Sequence, residues 1–213
     1  MIICLGDSHS SVFSGKEKII TRWPGKEYTL LSKFKPVRIG PATAYNLKSK
    51  IQLLDKILNN TFYLKKDYVL FCFGEVDIRA HLIKQLTLQE KKADDIVLEC
   101  VTRYIDAIKL VNPKRKIQKA VFAPIASWSD EKPYDGPSYG SNLERNEITR
   151  IFNNILEKMC NQNNIKFLSI FEDMLHKDGT TDSNFLDDWG SGIHLNQTAM
   201  PLIINKLKFN RML

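Results

Sequence analysis

The sequence predicts an α/β fold, in which a parallel sheet is covered by helices on both faces. Short apolar runs typical of buried strands alternate with longer stretches whose apolar residues recur at helical spacing. Turn residues, often glycine, directly follow several of the predicted strands. The 213 residues, 43% of them hydrophobic, suit one domain spanning 1–213 with a sizeable core.

Six segments are predicted strands. The first is a short apolar run that ends at Gly6, and the fourth is the strongest because all of its residues are apolar or aromatic. In chain order the predicted strands are Ile2–Leu5, Tyr28–Leu31, Val37–Ile39, Tyr68–Phe73, Ala120–Ala123 and Ile165–Ile170.

Four segments are predicted helices because their apolar residues recur every three or four positions. The second should end at Asn112-Pro113, and Asn196 is a good N-cap for the last. The helices are predicted at about 43–58, at about 91–111, along the stripe from Ile148 to Met159, and after Asn196.

Charge and composition argue against several classes of function. The net charge of +7 (31 basic minus 24 acidic residues) comes from scattered lysines and has no accompanying nucleic-acid-binding signature, so no nucleic-acid partner is expected. The longest apolar runs of about six residues are too short to cross a membrane, and the chain shows no basic leader, so a cytoplasmic protein is expected. Histidine, cysteine and acidic residues lack metal-ligand spacing, so we expect no metal or other cofactor.

The four cysteines lie far apart, each in an apolar stretch or on the apolar face of a predicted helix. No pair has the spacing of a disulfide framework, so buried, reduced thiols are predicted.

Ligands of parallel sheets bind beyond the carboxyl ends of the strands, so the residues there are the candidates for function. Gly6-Asp7-Ser8 follows the first predicted strand. A serine on such a turn can be activated by a histidine as a nucleophile, with neighbouring N–H groups stabilising an oxyanion. Alternatively, Ser8 only caps the helix that follows.

Four blocks together resemble the SGNH/GDSL hydrolase superfamily: Gly6-Asp7-Ser8, the glycine segment Arg38 to Tyr45, Gly74-Glu75-Val76-Asp77, and Gly192-Ile-His-Leu-Asn196. The resemblance covers nearly the whole chain. It implies Ser8 as nucleophile, Gly40 as an oxyanion-hole glycine and His194 as general base. It also implies a three-layer α/β/α sandwich with about five parallel strands.

The third block departs from the family pattern Gly-x-Asn-Asp, because Val76 stands where the family has an oxyanion-binding asparagine. Valine has no side-chain donor, so the oxyanion would depend on backbone N–H groups at Ser8 and Gly40, with help from Arg79. Glu75 and Arg79 carry opposite charges four positions apart. They either bind substrate or form a structural ion pair at a helix start.

The last block also departs, because the family's histidine-orienting aspartate lies three residues before the histidine, where this chain has Ser191. Asp188 and Asp187 lie just upstream, and glycines in the intervening turn give the chain freedom to fold back. We expect Asp188, or failing that Asp187, to reach the far nitrogen of His194. The alternative is that both acids are solvated and Ser191 or a main-chain carbonyl holds the ring.

The segment from Pro124 to Asn142 is the longest irregular stretch and carries Trp128, Tyr134 and Tyr139. Its aromatic residues either stack on a sugar ring or anchor a packed surface loop. His9 and His81 are also expected near the cleft.

The predicted function is therefore a serine esterase or acyl-transfer enzyme acting on an O-acylated carbohydrate or a similar small ester. The alternative is a glycan-binding protein of the same fold that has lost efficient hydrolysis, which Val76 and Ser191 favour.

Overall fold

The computed structural model describes residues 1–17, 25–26, 29–40, 42–131, 134–188 and 192–213. Its centre is a sheet whose strands run in the order β2-β3-β1-β4-β5-β6. Five strands are parallel, and the two-residue β2 pairs antiparallel with β3 at one edge. The strands are β1 (Ile2–Gly6), β2 (Gly25–Lys26), β3 (Phe34–Arg38), β4 (Tyr68–Cys72), β5 (Gln118–Phe122) and β6 (Lys166–Leu168). The predicted parallel sheet is confirmed.

The helices are α1 (Ile51–Asn59), α2 (Glu75–Asp77), α3 (Ile83–Gln89), α4 (Ala93–Leu110), α5 (Asn142–Gln162) and α6 (Met200–Phe209). A π-helical turn, Ile78–Leu82, joins α2 to α3. Short 3-10 helices span Ser8–Ser14, Leu47–Lys50, Glu172–Met174, Ser183–Phe185 and Gln197–Ala199.

Two buried apolar clusters, one on each face of the sheet, make the fold a three-layer sandwich. On one face α1, α4 and α5 contribute side chains such as Leu54, Tyr104 and Phe152. On the other face the first 3-10 helix and α6 contribute Phe13 and Ile203. Alternating residues of each strand serve the two faces, as expected for a sheet buried on both sides.

The predicted helix at 43–58 begins later than its apolar periodicity suggested. Residues 42–43 are irregular, 44–46 form a turn, a 3-10 helix covers Leu47–Lys50, and α1 begins only at Ile51. The cause lies elsewhere in the chain, because the carboxylate of Asp77 accepts hydrogen bonds from the backbone N–H groups of Ala44 and Tyr45. These bonds hold the segment in a loop against its helical tendency.

The strand predicted at Tyr28–Leu31 falls partly outside the described residues, which exclude Tyr28; the rest of it is irregular. The last predicted helix starts as expected, since the side chain of Asn196 accepts from Thr198 N and caps a 3-10 turn that leads into α6. All four cysteines are buried and free. Among the described residues, no helix has both the length and the apolar character needed to cross a membrane.

Candidate active site

Strand register brings three of the sequence blocks to one edge of the sheet. Gly6 of β1 lies opposite both Arg38 of β3 and Cys72 of β4. Counting two residues onward from each places Ser8, Gly40 and Gly74 next to one another at the carboxyl edge. The order in which strands are added to the sheet also reverses here, since β3 lies on one side of β1 and β4 on the other. Open α/β sheets bind ligands at such a switch point.

The turn after β1 depends on glycine at position 6. A Cβ atom there would lie 2.7 Å from the carbonyl oxygen of Cys72 and 2.9 Å from Cβ of Ser10. Only glycine therefore lets β1 approach β4 and then turn sharply into the first 3-10 helix.

Ser8 opens that helix but does not cap it. Asp7 is the N-cap, and its Oδ1 accepts a hydrogen bond of 2.8 Å from the backbone N–H of His9. The alternative interpretation, in which Ser8 serves only as a cap, is therefore wrong. The hydroxyl of Ser8 is therefore available to contact a side chain from another part of the chain.

That side chain is His194, whose Nε2 lies 2.8 Å from Oγ of Ser8. The histidine is carried by the segment before the 3-10 turn at Gln197–Ala199. The same turn is tied to the first 3-10 helix, since Nε2 of Gln197 donates to the carbonyl of Val12 at 2.9 Å. When the imidazole is neutral at Nε2, the Ser8 hydroxyl donates to it, as a nucleophile does to its base.

Asp187, not Asp188, lies behind this imidazole. Its Oδ2 is 3.8 Å from Nδ1 of His194, and its Oδ1 accepts from the backbone N–H of His194 at 3.1 Å. The side chain of Asp188 is exposed. The prediction that placed Asp188 first is corrected in favour of its stated second choice.

Backbone pairing explains the order of the two acids. Leu186 and Leu195 form an antiparallel bridge, and the N–H of Asp187 donates to the carbonyl of His194 at 2.8 Å. Position 187 is thus paired directly with position 194, and position 188 lies one residue further from the bridge. Ser191, the other residue considered for orienting the ring, lies outside the described residues.

The electrostatics of this pair suit a general base. Burial lowers the pKa of His194, and the charge of His9 lowers it further, against the opposing effect of Asp187. Burial acts to raise the pKa of Asp187, yet its contacts with His194 hold that pKa below the usual value. Asp187 is therefore charged at neutral pH, while His194 is neutral and able to accept a proton.

Gly40 follows β3 with φ of 94°, a conformation that favours glycine. The loop after it is fixed by Asp77, whose Oδ2 accepts from Ala44 N at 2.7 Å and whose Oδ1 accepts from Tyr45 N at 3.0 Å. Burial raises the pKa of Asp77 to about 6, even though these bonds favour the charged form. Sequence reasoning noted Asp77 within its block but did not foresee this anchoring of the Gly40 loop.

Glu75 and Arg79 form the structural ion pair that was one of the two alternatives. Arg79 Nε donates to Glu75 Oε1 at 2.8 Å, and Arg79 Nη1 donates to the carbonyl of Pro137 at 2.8 Å. The other oxygen of Glu75 lies 2.9 Å from Nε2 of His9. Both carboxylate oxygens are thus engaged by protein groups, which favours the structural alternative over direct substrate binding by Glu75.

His9 is the residue at this site whose partners sequence reasoning missed. Its ring is 8% exposed and lies with its centroid 4.8 Å from that of His194. The pairing of Glu75 with Arg79 was visible in the sequence as opposite charges four positions apart. No local pattern, however, relates His9 to a glutamate 66 residues away.

The side chain of Val76, the residue after Glu75, is half-buried and offers no hydrogen-bond donor. The other two histidines, His81 and His176, are exposed. Within the described ranges, no three or more His, Cys, Asp or Glu side chains are grouped so as to hold a metal ion.

The irregular loop after β5 is anchored by its aromatic residues. Trp128 is only 4% exposed and is covered by Arg145, whose guanidinium carbon lies 3.8 Å from the ring centroid. Tyr134 packs against Trp128 at 5.1 Å and against Arg79 at 4.8 Å. Of the three aromatics, Tyr139 is the most open to solvent, at 40%. Trp128 therefore belongs to the core, whereas Tyr139 keeps part of its ring at the surface.

Comparison with known proteins supports the fold. No family model matches the chain, and no curated protein sequence does so either. Solved structures do match along almost their whole length. A carbohydrate acetylesterase from Sinorhizobium meliloti aligns with a TM-score of 0.54 and 14% identity, covering 100% of this chain and 99% of that one.

Two further structures give the same result. A member of the lipolytic G-D-S-L family from Veillonella parvula aligns with a TM-score of 0.54 and 15% identity over 98% of this chain and 96% of its own. The aryl esterase of M. smegmatis aligns with a TM-score of 0.52 and 16% identity over 100% and 99%. The chain therefore has the fold of the SGNH/GDSL hydrolases, as its sequence blocks predicted.

Proposed function

We propose that the protein is a serine esterase or acyl-transfer enzyme in which Ser8 is the nucleophile and His194 the general base. The observation that supports this most directly is the 2.8 Å contact between Ser8 Oγ and His194 Nε2 at the carboxyl edge of the sheet. Nucleophile, base and orienting acid come from two distant parts of the chain, yet they meet in the order that acyl transfer requires.

In the proposed reaction the Ser8 oxygen attacks the ester carbonyl while its proton moves to Nε2 of His194. The carbonyl oxygen becomes an oxyanion, stabilised by the backbone N–H groups of Ser8 and Gly40. The imidazolium then gives its proton to the departing alkoxide, which leaves as an alcohol, and an acyl-serine remains. Water or another hydroxyl, deprotonated by His194, releases the acyl group.

Asp187 orients the imidazole and stabilises its charged form. In the resting structure Asp187 Oδ2 and His194 Nδ1 are 3.8 Å apart, which is too long for a hydrogen bond. Oδ2 is also buried with no hydrogen-bond partner among the described residues. Catalytic contacts commonly shorten once the reaction begins. The attraction between Asp187 and His194 is therefore strongest when the imidazole has become charged.

For the substrate we propose a small O-acyl ester, in particular an acetylated carbohydrate. The support is the shared fold with a protein described as a carbohydrate acetylesterase, together with the half-exposed Tyr139 on the loop after β5. The proposed partner is thus a small-molecule or glycan ester, and neither nucleic acid nor membrane is part of the proposal.

The test is hydrolysis of short-chain nitrophenyl esters and acetylated sugars, with Ser8→Ala as the control. We expect turnover of an acetyl ester by the native protein and a loss of about 10³-fold or more in Ser8→Ala. Covalent labelling of Ser8 by a fluorophosphonate, located by mass spectrometry, supplies a second readout. Turnover that Ser8→Ala retains in full would contradict the proposal.

A second candidate function is glycan binding without efficient hydrolysis, and Val76 is the observation that favours it. The family's side-chain donor is absent there, and loss of one such donor costs about 10²–10³ in rate in a protease. Binding of an acetylated sugar by calorimetry, without turnover and without labelling of Ser8, would support this candidate instead.

A further inference from the structure

His9 lies in a small set of buried charged groups that the mechanism above does not use. It faces Asp7 in the turn after β1, Glu75 and Arg79 in the helical segment after β4, and His194 in the segment before α6. The side chains of His9, Glu75 and Arg79 are only 8%, 11% and 9% exposed. We call these three residues the His9 clamp.

Within the His9 clamp, Glu75 favours a charged imidazole, whereas the positive charge of Arg79 opposes it. Glu75 presents one oxygen to Nε2 of His9 at 2.9 Å and the other to Nε of Arg79 at 2.8 Å. Arg79 is itself held by the carbonyl of Pro137 and by the ring of Tyr134. A buried carboxylate fixed in this way cannot turn away to water, so it retains its charge and attracts a proton to His9.

The clamp also reaches the proposed base, because the rings of His9 and His194 are 4.8 Å apart between centroids and tilted by 42°. Two buried imidazoles at this distance repel strongly when both are charged. A proton held on His9 by Glu75 therefore opposes a second proton on His194.

We propose that His9 is a positioning residue, a fixed imidazolium held by Glu75 and Arg79 that keeps His194 in its neutral, proton-accepting form. This inference rests on the proposed function of the Ser8–His194 pair. When His194 takes the Ser8 proton, the same repulsion favours passing that proton on to the leaving group.

The shifts of the pKa values agree with this geometry. Burial acts to lower the pKa of His9 and the charge of Arg79 lowers it further, but Glu75 and the charge of Asp7 together outweigh both, and the pKa is raised. Burial acts to raise the pKa of Glu75, yet His9 and then Arg79 hold it at about 2. The groups that face His194 are Asp187, Glu75 and His9, and of these only His9 lowers its pKa.

The test is a titration of the imidazole groups by NMR, with the four histidines assigned by single substitution. In the native protein we expect His9 to titrate above the ordinary histidine midpoint and His194 to titrate below it. In His9→Gln the His194 midpoint should rise by roughly one pH unit. In Glu75→Gln the His9 midpoint should fall. His176→Gln removes an exposed imidazole and is the matched control.

The acid limb of the rate profile gives a second readout, which a merely structural role would not move. In His9→Gln the limb should shift to higher pH by the same amount as the NMR midpoint of His194. A native His9 that titrates below the ordinary histidine midpoint, or a His194 midpoint unchanged in His9→Gln, overturns the inference. Because the titration needs no turnover, its failure is distinguishable from failure of the esterase proposal, which Ser8→Ala tests.

Discussion

Asp187 and His194 are joined through both backbone and side chain. The backbone N–H of Asp187 donates to the carbonyl of His194, and its Oδ1 accepts from the backbone N–H of the same histidine. Its other oxygen faces the imidazole at 3.8 Å. The backbone pairing thus fixes the carboxylate of Asp187 beside the imidazole of His194, so a neighbouring acid has little freedom to take its place.

Substitution of the two adjacent acids should therefore give opposite results. Asp187→Asn is expected to lower kcat by about 10²–10⁴-fold, because the wrong imidazole tautomer is then favoured. Asp188→Asn, which alters an exposed side chain, should keep kcat within about twofold. Both are measured on the best ester found, with folding checked by circular dichroism. Equal losses in the two variants, or a loss in Asp188→Asn alone, would contradict the assignment.

Restoring an amide at position 76 should increase activity. In Val76→Asn a side-chain donor is available at the family's usual oxyanion-binding position, and such a donor is worth about 10²–10³-fold in kcat in a protease. We expect a gain of at least several-fold in kcat with KM little changed. Val76→Leu is the control for altered packing and should show no gain. If Val76→Asn is no faster than Val76→Leu, the oxyanion does not lie within reach of residue 76.

The buried Asp77 should make a distinct contribution to the pH dependence of stability. Burial raises the pKa of Asp77 to about 6 in the folded state, above the ordinary value of an aspartate, so the folded state binds the proton more tightly than the unfolded state does. Stability from this group is therefore greatest at low pH and declines as the pH rises from about 4 to about 6.

Urea denaturation of native protein and Asp77→Asn at pH 4, 5, 6 and 7 isolates this effect. The free energy of unfolding of the native protein, minus that of the variant, should fall by up to a few kcal/mol across this range. Asp77→Asn should also lower kcat, because an amide oxygen cannot accept both loop N–H groups in the same way. A difference that rises with pH would show that Asp77 is stabilised, not penalised, as a charged group.

The two aromatic residues of the loop after β5 should separate stability from substrate binding. Trp128→Ala removes a buried ring that packs on Arg145 and Tyr134, so a loss of about 3–5 kcal/mol in the free energy of unfolding is expected. Tyr139→Ala should cost less than about 0.5 kcal/mol, since the side chain is half-exposed. With an acetylated sugar, Tyr139→Ala should instead raise KM. An unchanged KM would remove Tyr139 from the substrate site.

The sheet could be predicted from the sequence because apolar strands and turn residues are local signals, and the roles of Ser8 and His194 were implied by the resemblance of the sequence blocks to the SGNH/GDSL hydrolases. What the sequence could not predict depends on distant pairings. The helix expected from residue 43 is delayed by a carboxylate at Asp77, and Asp187 is selected over Asp188 by the bridge between Leu186 and Leu195. The sequence places Trp128 among polar loop residues, and nothing local indicates that the guanidinium of Arg145 covers its ring.

The separation of Ser8 and His194 along the chain has a consequence for folding studies. The pair is 186 positions apart, and the turn that carries His194 is fastened to the first 3-10 helix through Gln197. Neither residue can act until a loop of that length has closed and the segment preceding α6 has docked. Recovery of esterase turnover during refolding would therefore report the last stage of assembly, whereas recovery of helical signal would report earlier stages. A lag between the two signals would measure how long after helix formation the segment carrying His194 docks beside Ser8.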